Sequence, residues 1–234
     1  MFKKIEPLEF SKHQNFRLST ISSFAFSRNI SIVKLSLSEL RQASRFYPIV
    51  FLKDGTCIPQ ALLSLKGGEN TFVDDAGNWT VPYIPACLRF YPFTLARIET
   101  KEGQEDQFAL CLDPEAEHFK SGMGDPLFTA DGQPVEFIKN HIFKALSVYY
   151  QELVTTEKLF AALNEKGLIL DCTYKYTVDQ VERSVDGFKS VAMQKLLTMD
   201  DGFLAGMIKN GTMGMVYEHT HSLNNFSNLL TLNP

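Results

Sequence analysis

The chain has 234 residues, a formal net charge of −4 and a pI near 5.8, with 44% apolar and 21% charged residues. That is an ordinary globular balance, long enough for one generous domain or two small ones. The absence of a Lys/Arg cluster removes the electrostatic footprint of a nucleic-acid binder, and 19 phenylalanines against one tryptophan indicate a large packed core.

In chain order, the first thirty residues mix Ser, Lys, Asn and Phe without period and read as an extended arm over the core. Their start, MFKKIEPLEFSKH, lacks the apolar run of ~7–15 residues that marks a secretory signal. No stretch reaches the ~18–20 apolar residues of a membrane helix, so the expected location is the cytoplasm. ISIVKLSL (Ile30 to Leu37) alternates as a half-buried strand should. Ser38 then reads as the cap of a short helix with Glu39 in its first turn.

The tetrapeptide RFYP occurs twice, at Arg45 to Pro48 and at Arg89 to Pro92. A residue before proline avoids the α region, so each copy is expected to close a short helix and launch a strand. Asp54-Gly55 joins two strand-like runs as a hairpin, and Asp75-Ala76-Gly77 supplies another turn. PFTLARIE and QFALCLD pair around an acidic tip, Ile98 to Gln107. From Pro134 to Lys166, apolar residues recur at steps of three and four, predicting an amphipathic helix with a break near Thr155-Thr156 and Gly167 as its cap. Its apolar stripe exceeds what one small sheet covers, which makes it the expected contact of a homodimer. An extended piece, GLILDCTYKYTV, and three short helices finish the chain. The expected fold class is α+β: a strand-rich N-terminal half packed against a helical C-terminal half, forming one domain over 1–234.

Four cysteines (Cys57, Cys87, Cys111, Cys172) stand far apart with no CxxC pair, as buried free thiols of a reducing compartment would. Cys57 and Cys111 have His118 and His141 as conceivable partners, yet no catalytic signature surrounds either cysteine. EHTH (Glu218 to His221) offers His219 and His221 as weak metal candidates, but two residues apart on a helix they point about 200° from each other. No cofactor is expected. The segment from Gly68 to Phe93 concentrates the only tryptophan with tyrosines, prolines and an arginine. Asn70, Asp74, Trp79, Tyr83 and Arg89 form either a ligand pocket with an aromatic wall or a rigid structural knot, the knot being the commoner arrangement.

This segment also carries a resemblance. YPIVF from Tyr47, NTFVDDAGNW from Asn70 and YIPACLRFYPF from Tyr83 resemble the bacterial SapC family of surface-layer-related proteins. LCLD, LFTADGQP, TEKLFAALNEKGLI and HTHSLNNFSNL follow in the family's order, so the likeness runs from about Ser31 to the end. The family pattern tends to carry two arginines before YPF, where this chain has Arg89-Phe90, and a leucine where it has Thr71. That departure counts against a paired guanidinium clamp. The resemblance implies an accessory or binding protein for a surface-layer or exported substrate, with a protein partner or small ligand and no assigned catalytic residue. The alternative is an enzyme acting on a peptide or small metabolite, with a metal at His219 or His221.

Overall fold

The computed structural model describes residues 1–20, 23–53, 55–98, 107–178 and 181–232. Along the chain the strands are β1 (Glu6–Pro7), β2 (Arg17–Leu18), β3 (Ile32–Lys34), β4 (Ile49–Leu52), β5 (Gln60–Leu62), β6 (Phe93–Ile98), β7 (Gln107–Leu112), β8 (Asp125–Pro126), β9 (Ile169–Val178) and β10 (Val181–Val191). The α-helices are α1 (Phe10–His13), α2 (Leu40–Ala43), α3 (Ala86–Arg89), α4 (Lys144–Glu165), α5 (Met193–Leu196), α6 (Asp201–Lys209), α7 (Thr212–Ser222) and α8 (Asn225–Leu232). The fold is α+β, strand-rich early and helical late. Two compact units share the chain, one of Met1–Ser23 with Cys87–Gln151 and the other of Phe24–Ala86 with Glu152–Pro234.

In the first unit a three-stranded sheet runs β1-β7-β6. Strands β6 and β7 pair antiparallel from Phe93↔Leu112 to Ile98↔Gln107, as the runs PFTLARIE and QFALCLD are expected to; residues 99–106 of the acidic tip lie outside the described residues. The N-terminal segment is more than an arm: β1 adds an edge to β7, and α1 buries His13. Phe93, Leu95, Leu112, Leu127, Phe128, Ile138 and Leu146 form this unit's core. Where β2 pairs with β8, Gly124 (φ 107°) lies so close to its neighbour that a Cβ would stand 2.2 Å from the Leu18 carbonyl oxygen. Only glycine fits there.

The second unit is built on a five-stranded antiparallel sheet, β3-β5-β4-β10-β9. Its central strand β4 is apolar without alternation because both faces are covered. Val50 packs with Phe188 and Phe226, whereas the Phe51 ring meets Phe160 of α4 (5.0 Å) and His219 of α7 (5.1 Å). The longest strand, β10, is hidden in the sequence because Asp186-Gly187 interrupts its two-residue period. The pairing shifts by a bulge between Val185 and Phe188, with Gly187 at φ 94°.

Both RFYP copies do what their prolines require. The first separates α2 from β4, and the second separates α3 from β6, with Tyr91–Pro92 in the cis form. Two expectations need correction. The early helix is capped by Ser36, not Ser38, because Ser36 and Glu39 form a capping box three residues apart. The long helix does not break at Thr155-Thr156; the Thr156 hydroxyl donates to the Glu152 carbonyl (2.6 Å) and the turns continue. Its irregularity is a π-helical stretch, Ile138–Phe143, at the other end.

The closing segment clasps the first RFYP. Asn225, buried at the start of α8, donates to the carbonyls of Ser44 (2.7 Å) and Tyr47 (3.2 Å). Ser222 accepts from the Ile49 amide (2.9 Å), and Ser44 donates to Glu218 (2.6 Å). Asn225→Ala should therefore lower unfolding free energy by about 1–3 kcal/mol, since it strands two carbonyls beside the core. A fall in the urea midpoint at constant slope is the expected reading; an unchanged midpoint would show that other donors serve these carbonyls.

Candidate functional site

Glu39 is the hub of the family-like segment. It is 4% exposed, and its carboxylate collects three donors from three places in the chain. The Ser36 amide reaches one oxygen (2.9 Å), while the Tyr83 hydroxyl (2.9 Å) and the Ala86 amide (2.6 Å) reach the other. A buried carboxylate normally demands a cation; here two main-chain amides and a phenol hydrogen-bond to it. The signal was present in the sequence as the Ser-x-x-Glu spacing, but spacing does not reveal that the same carboxylate reaches Tyr83 and Ala86.

Around this hub the aromatic rings interlock. The Tyr47 hydroxyl donates to the Tyr83 carbonyl, and the Trp79 indole N–H points at both the Tyr47 hydroxyl (2.9 Å) and that carbonyl (3.1 Å). Phe72 lies edge-on to Tyr47 at 4.8 Å and stacked near Trp79 at 6.2 Å, with Phe24 on the indole at 5.7 Å. Burial drives the Tyr47 pKa well above the usual phenol value, opposed by the Trp79 hydrogen bond, so the hydroxyl stays a donor.

The sequence-predicted residues fall as follows. Asn70 is buried: its amide donates to the Ser27 carbonyl (3.1 Å) and its oxygen accepts from the Phe72 amide (3.0 Å). Asp74 is exposed and closes the expected turn, accepting from the Asn78 amide (2.7 Å) and side chain (3.0 Å), which hold its carboxyl below the usual range. The exposed Arg28 guanidinium fastens the same turn through the carbonyls of Asp74 (2.9 Å) and Asp75 (2.6 Å). Trp79 and Tyr83 are half-buried, their polar atoms directed inward. These four belong to the second unit. Arg89 is exposed at the end of α3, in the unit that takes up the chain at Cys87.

The metal candidates diverge. His219 is fully buried, with its Nε2 accepting from the Val191 amide (3.1 Å), whereas His221, two positions on, is exposed. Among the described residues no group of three or more His, Cys, Asp or Glu side chains could hold a metal ion. Cys57 and Cys111 are buried and Cys87 and Cys172 half-buried, and these four form no disulfide; burial pushes the Cys111 thiol up, away from a reactive thiolate. No helix among the described residues is long and apolar enough to cross a membrane.

Two outcomes follow for stability. Glu39→Ala leaves the Ser36 and Ala86 amides and the Tyr83 hydroxyl without their acceptor, and should cost at least about 3 kcal/mol in urea unfolding; a loss below about 1 kcal/mol would remove Glu39 from the centre of the knot. Burial also lowers the His219 pKa from 6.5 to about 4, against a smaller opposing pull from the Ile49 backbone. Between those values the unfolded chain binds a proton that the native ring does not, so stability falls as pH drops through that window, by about 3 kcal/mol. In His219→Gln the decline between pH 6.5 and 4 should be correspondingly shallower, and equal slopes for the two proteins would contradict the buried neutral ring.

No curated protein and no solved structure matches the chain. The SapC family model matches residues 8–229, nearly the whole length and including every element of the Glu39 knot. The chain therefore belongs to the SapC family.

Proposed function

We propose that this SapC-family chain is a cytoplasmic accessory protein that binds a partner, in surface-layer or exported-substrate handling, and does not itself catalyse a reaction. The observation that carries this reading is the state of the polar groups in the family segment. Those of Asn70, Trp79 and Tyr83 are engaged in internal hydrogen bonds, and the Glu39 carboxylate is filled by three donors. A general base or nucleophile must be reachable by its substrate, and here the Glu39 carboxylate is 4% exposed while the polar atoms of Asn70, Trp79 and Tyr83 are turned into the fold. What they produce is a stiff platform. On it stands the turn of Asp74, Asp75 and Asn78, all exposed, with the Trp79 ring half-open beside them.

Two carboxylates next to an indole suit a segment carrying a basic or amide side chain, held by charge and by ring contact. Pre-organisation favours binding, because the turn loses little freedom when the partner arrives. Arg89, exposed in the second half of the motif, is the second element we assign to partner recognition, and Arg89→Ala tests it separately.

Trp79 is the only tryptophan, so its emission reports directly on this surface. Titration with the purified surface-layer protein of the same cell should give a saturable change in Trp79 fluorescence. Asp75→Lys should weaken it about tenfold, equivalent to ~1.4 kcal/mol, without altering the urea midpoint. A titration with no saturable change in the wild-type chain would overturn the proposal.

A further inference from the structure

We propose that two copies of this chain associate edge to edge through β9, as an antiparallel strand pair whose two-fold axis passes through Thr173. This is independent of the binding surface described above. Strand β9 ends the sheet order and has ten residues; β10 pairs with one side of it, and among the described residues no strand pairs with the other. A cleft of about 430 Å³ lies against it, bounded by Tyr174, Lys175, Tyr176 and Thr177 and, from α8, by Ser227, Leu230 and Thr231. Successive residues of a strand point to opposite faces. Four in a row can line one cleft only where it runs along the strand's edge and meets the main chain. An open edge of this length is a template for another strand.

The order of side chains selects the second strand. Asp171, Thr173 and Lys175 are exposed and share one face of β9. A two-fold axis through Thr173 sets Asp171 of one copy opposite Lys175 of the other, and the same pair recurs on the far side of the axis. Thr173 then meets Thr173, a favourable cross-strand pair. On the other face the same register puts Cys172 opposite Tyr174, and Leu170, 44% exposed in the single chain, opposite Tyr176. Neighbouring registers lose this match. An axis through Lys175 sets that lysine against its own copy, and an axis through Tyr174 leaves it facing Thr173. A lysine on a free edge ordinarily repels other strands; here it admits only the register that gives it an aspartate.

The edge is also pre-ordered. Tyr174 stacks on Phe226 (centroids 4.6 Å, planes 17° apart), and its hydroxyl bonds with that of Ser227 (3.0 Å). Within one copy Asp171 pairs with Lys53 (3.2 Å) and Lys175 with Glu182 (2.9 Å). Both pairs are exposed and leave carboxylate and ammonium positions open to a second partner, so dimerisation links them into two symmetry-related rows of alternating charge.

The test is sedimentation equilibrium of the full chain over a range of concentrations. The wild type should show a monomer–dimer equilibrium. Asp171→Lys and Lys175→Glu, each of which sets like charges across both symmetric contacts, should raise the dissociation constant about tenfold or more. The double variant Asp171→Lys/Lys175→Glu restores opposite charges in the same register and should recover most of the wild-type association. A wild-type chain that stays monomeric overturns the proposal. So does a dimer indifferent to the single reversals, or a double variant no better than the singles.

Discussion

A buried carboxylate with no cation beside it among the described residues is the constraint on which each unit of this protein depends. Glu39 in one unit and Asp113 in the other are 4% and 0% exposed. Asp113 repeats the solution found at Glu39 with different residues. Its oxygens accept from the Lys3 amide (2.8 Å), the Glu115 amide (3.1 Å) and the Tyr91 hydroxyl (3.1 Å). Desolvating a carboxylate costs several kcal/mol, so such a group persists only where fixed donors meet it. The donors come from segments distant in sequence, 110 residues apart for Lys3 and Asp113 and 47 for Glu39 and Ala86. Each carboxylate therefore fixes chain segments that hydrophobic contact alone would leave free to slide.

This arrangement explains why phenylalanine dominates the composition while tyrosine and tryptophan cluster. Phe51, Phe93, Phe160 and Phe226, each almost fully buried, fill space and ask for nothing. Tyr47, Tyr83, Tyr91 and Trp79 each bring one donor to an acceptor that would otherwise be stranded. The family motif is thus a hydrogen-bonding kit as much as a hydrophobic one, and its chemistry is inward-facing. What it turns outward is the shape and charge of the turn at Asp74 to Asn78.

Local signals were legible in the sequence and long-range ones were not. Proline placed the ends of α2 and α3, alternation placed β3, and three-four periodicity placed α4 with Gly167 in the left-handed conformation (φ 64°) at its end. Each of those depends on a few neighbouring residues. Strand β10 was hidden because its bulge breaks the two-residue period, and the start of the early helix was misplaced by two residues because two serines compete for the same cap. The aromatic cluster was recognisable as a cluster. The role of Glu39 was not, since nothing in a sequence tells a solvated first-turn glutamate from one that reaches across to Tyr83. The bonds from Asn225 to Ser44 and Tyr47 span 181 and 178 residues and leave no local trace.

The repeated RFYP gives both units a shared sensitivity. In each copy the tyrosine hydroxyl is a donor inside the fold, to a main-chain carbonyl from Tyr47 and to a carboxylate from Tyr91. Burial raises both phenol pKa values, and the Asp113 charge raises that of Tyr91 further. The stability tied to these protons is intact below the ordinary phenol pKa of ~10 and drains away as alkalinity rises beyond it. Strong base would thus attack both units at the same four-residue word, turning a pair of donors into phenolates that face a carbonyl and a carboxylate.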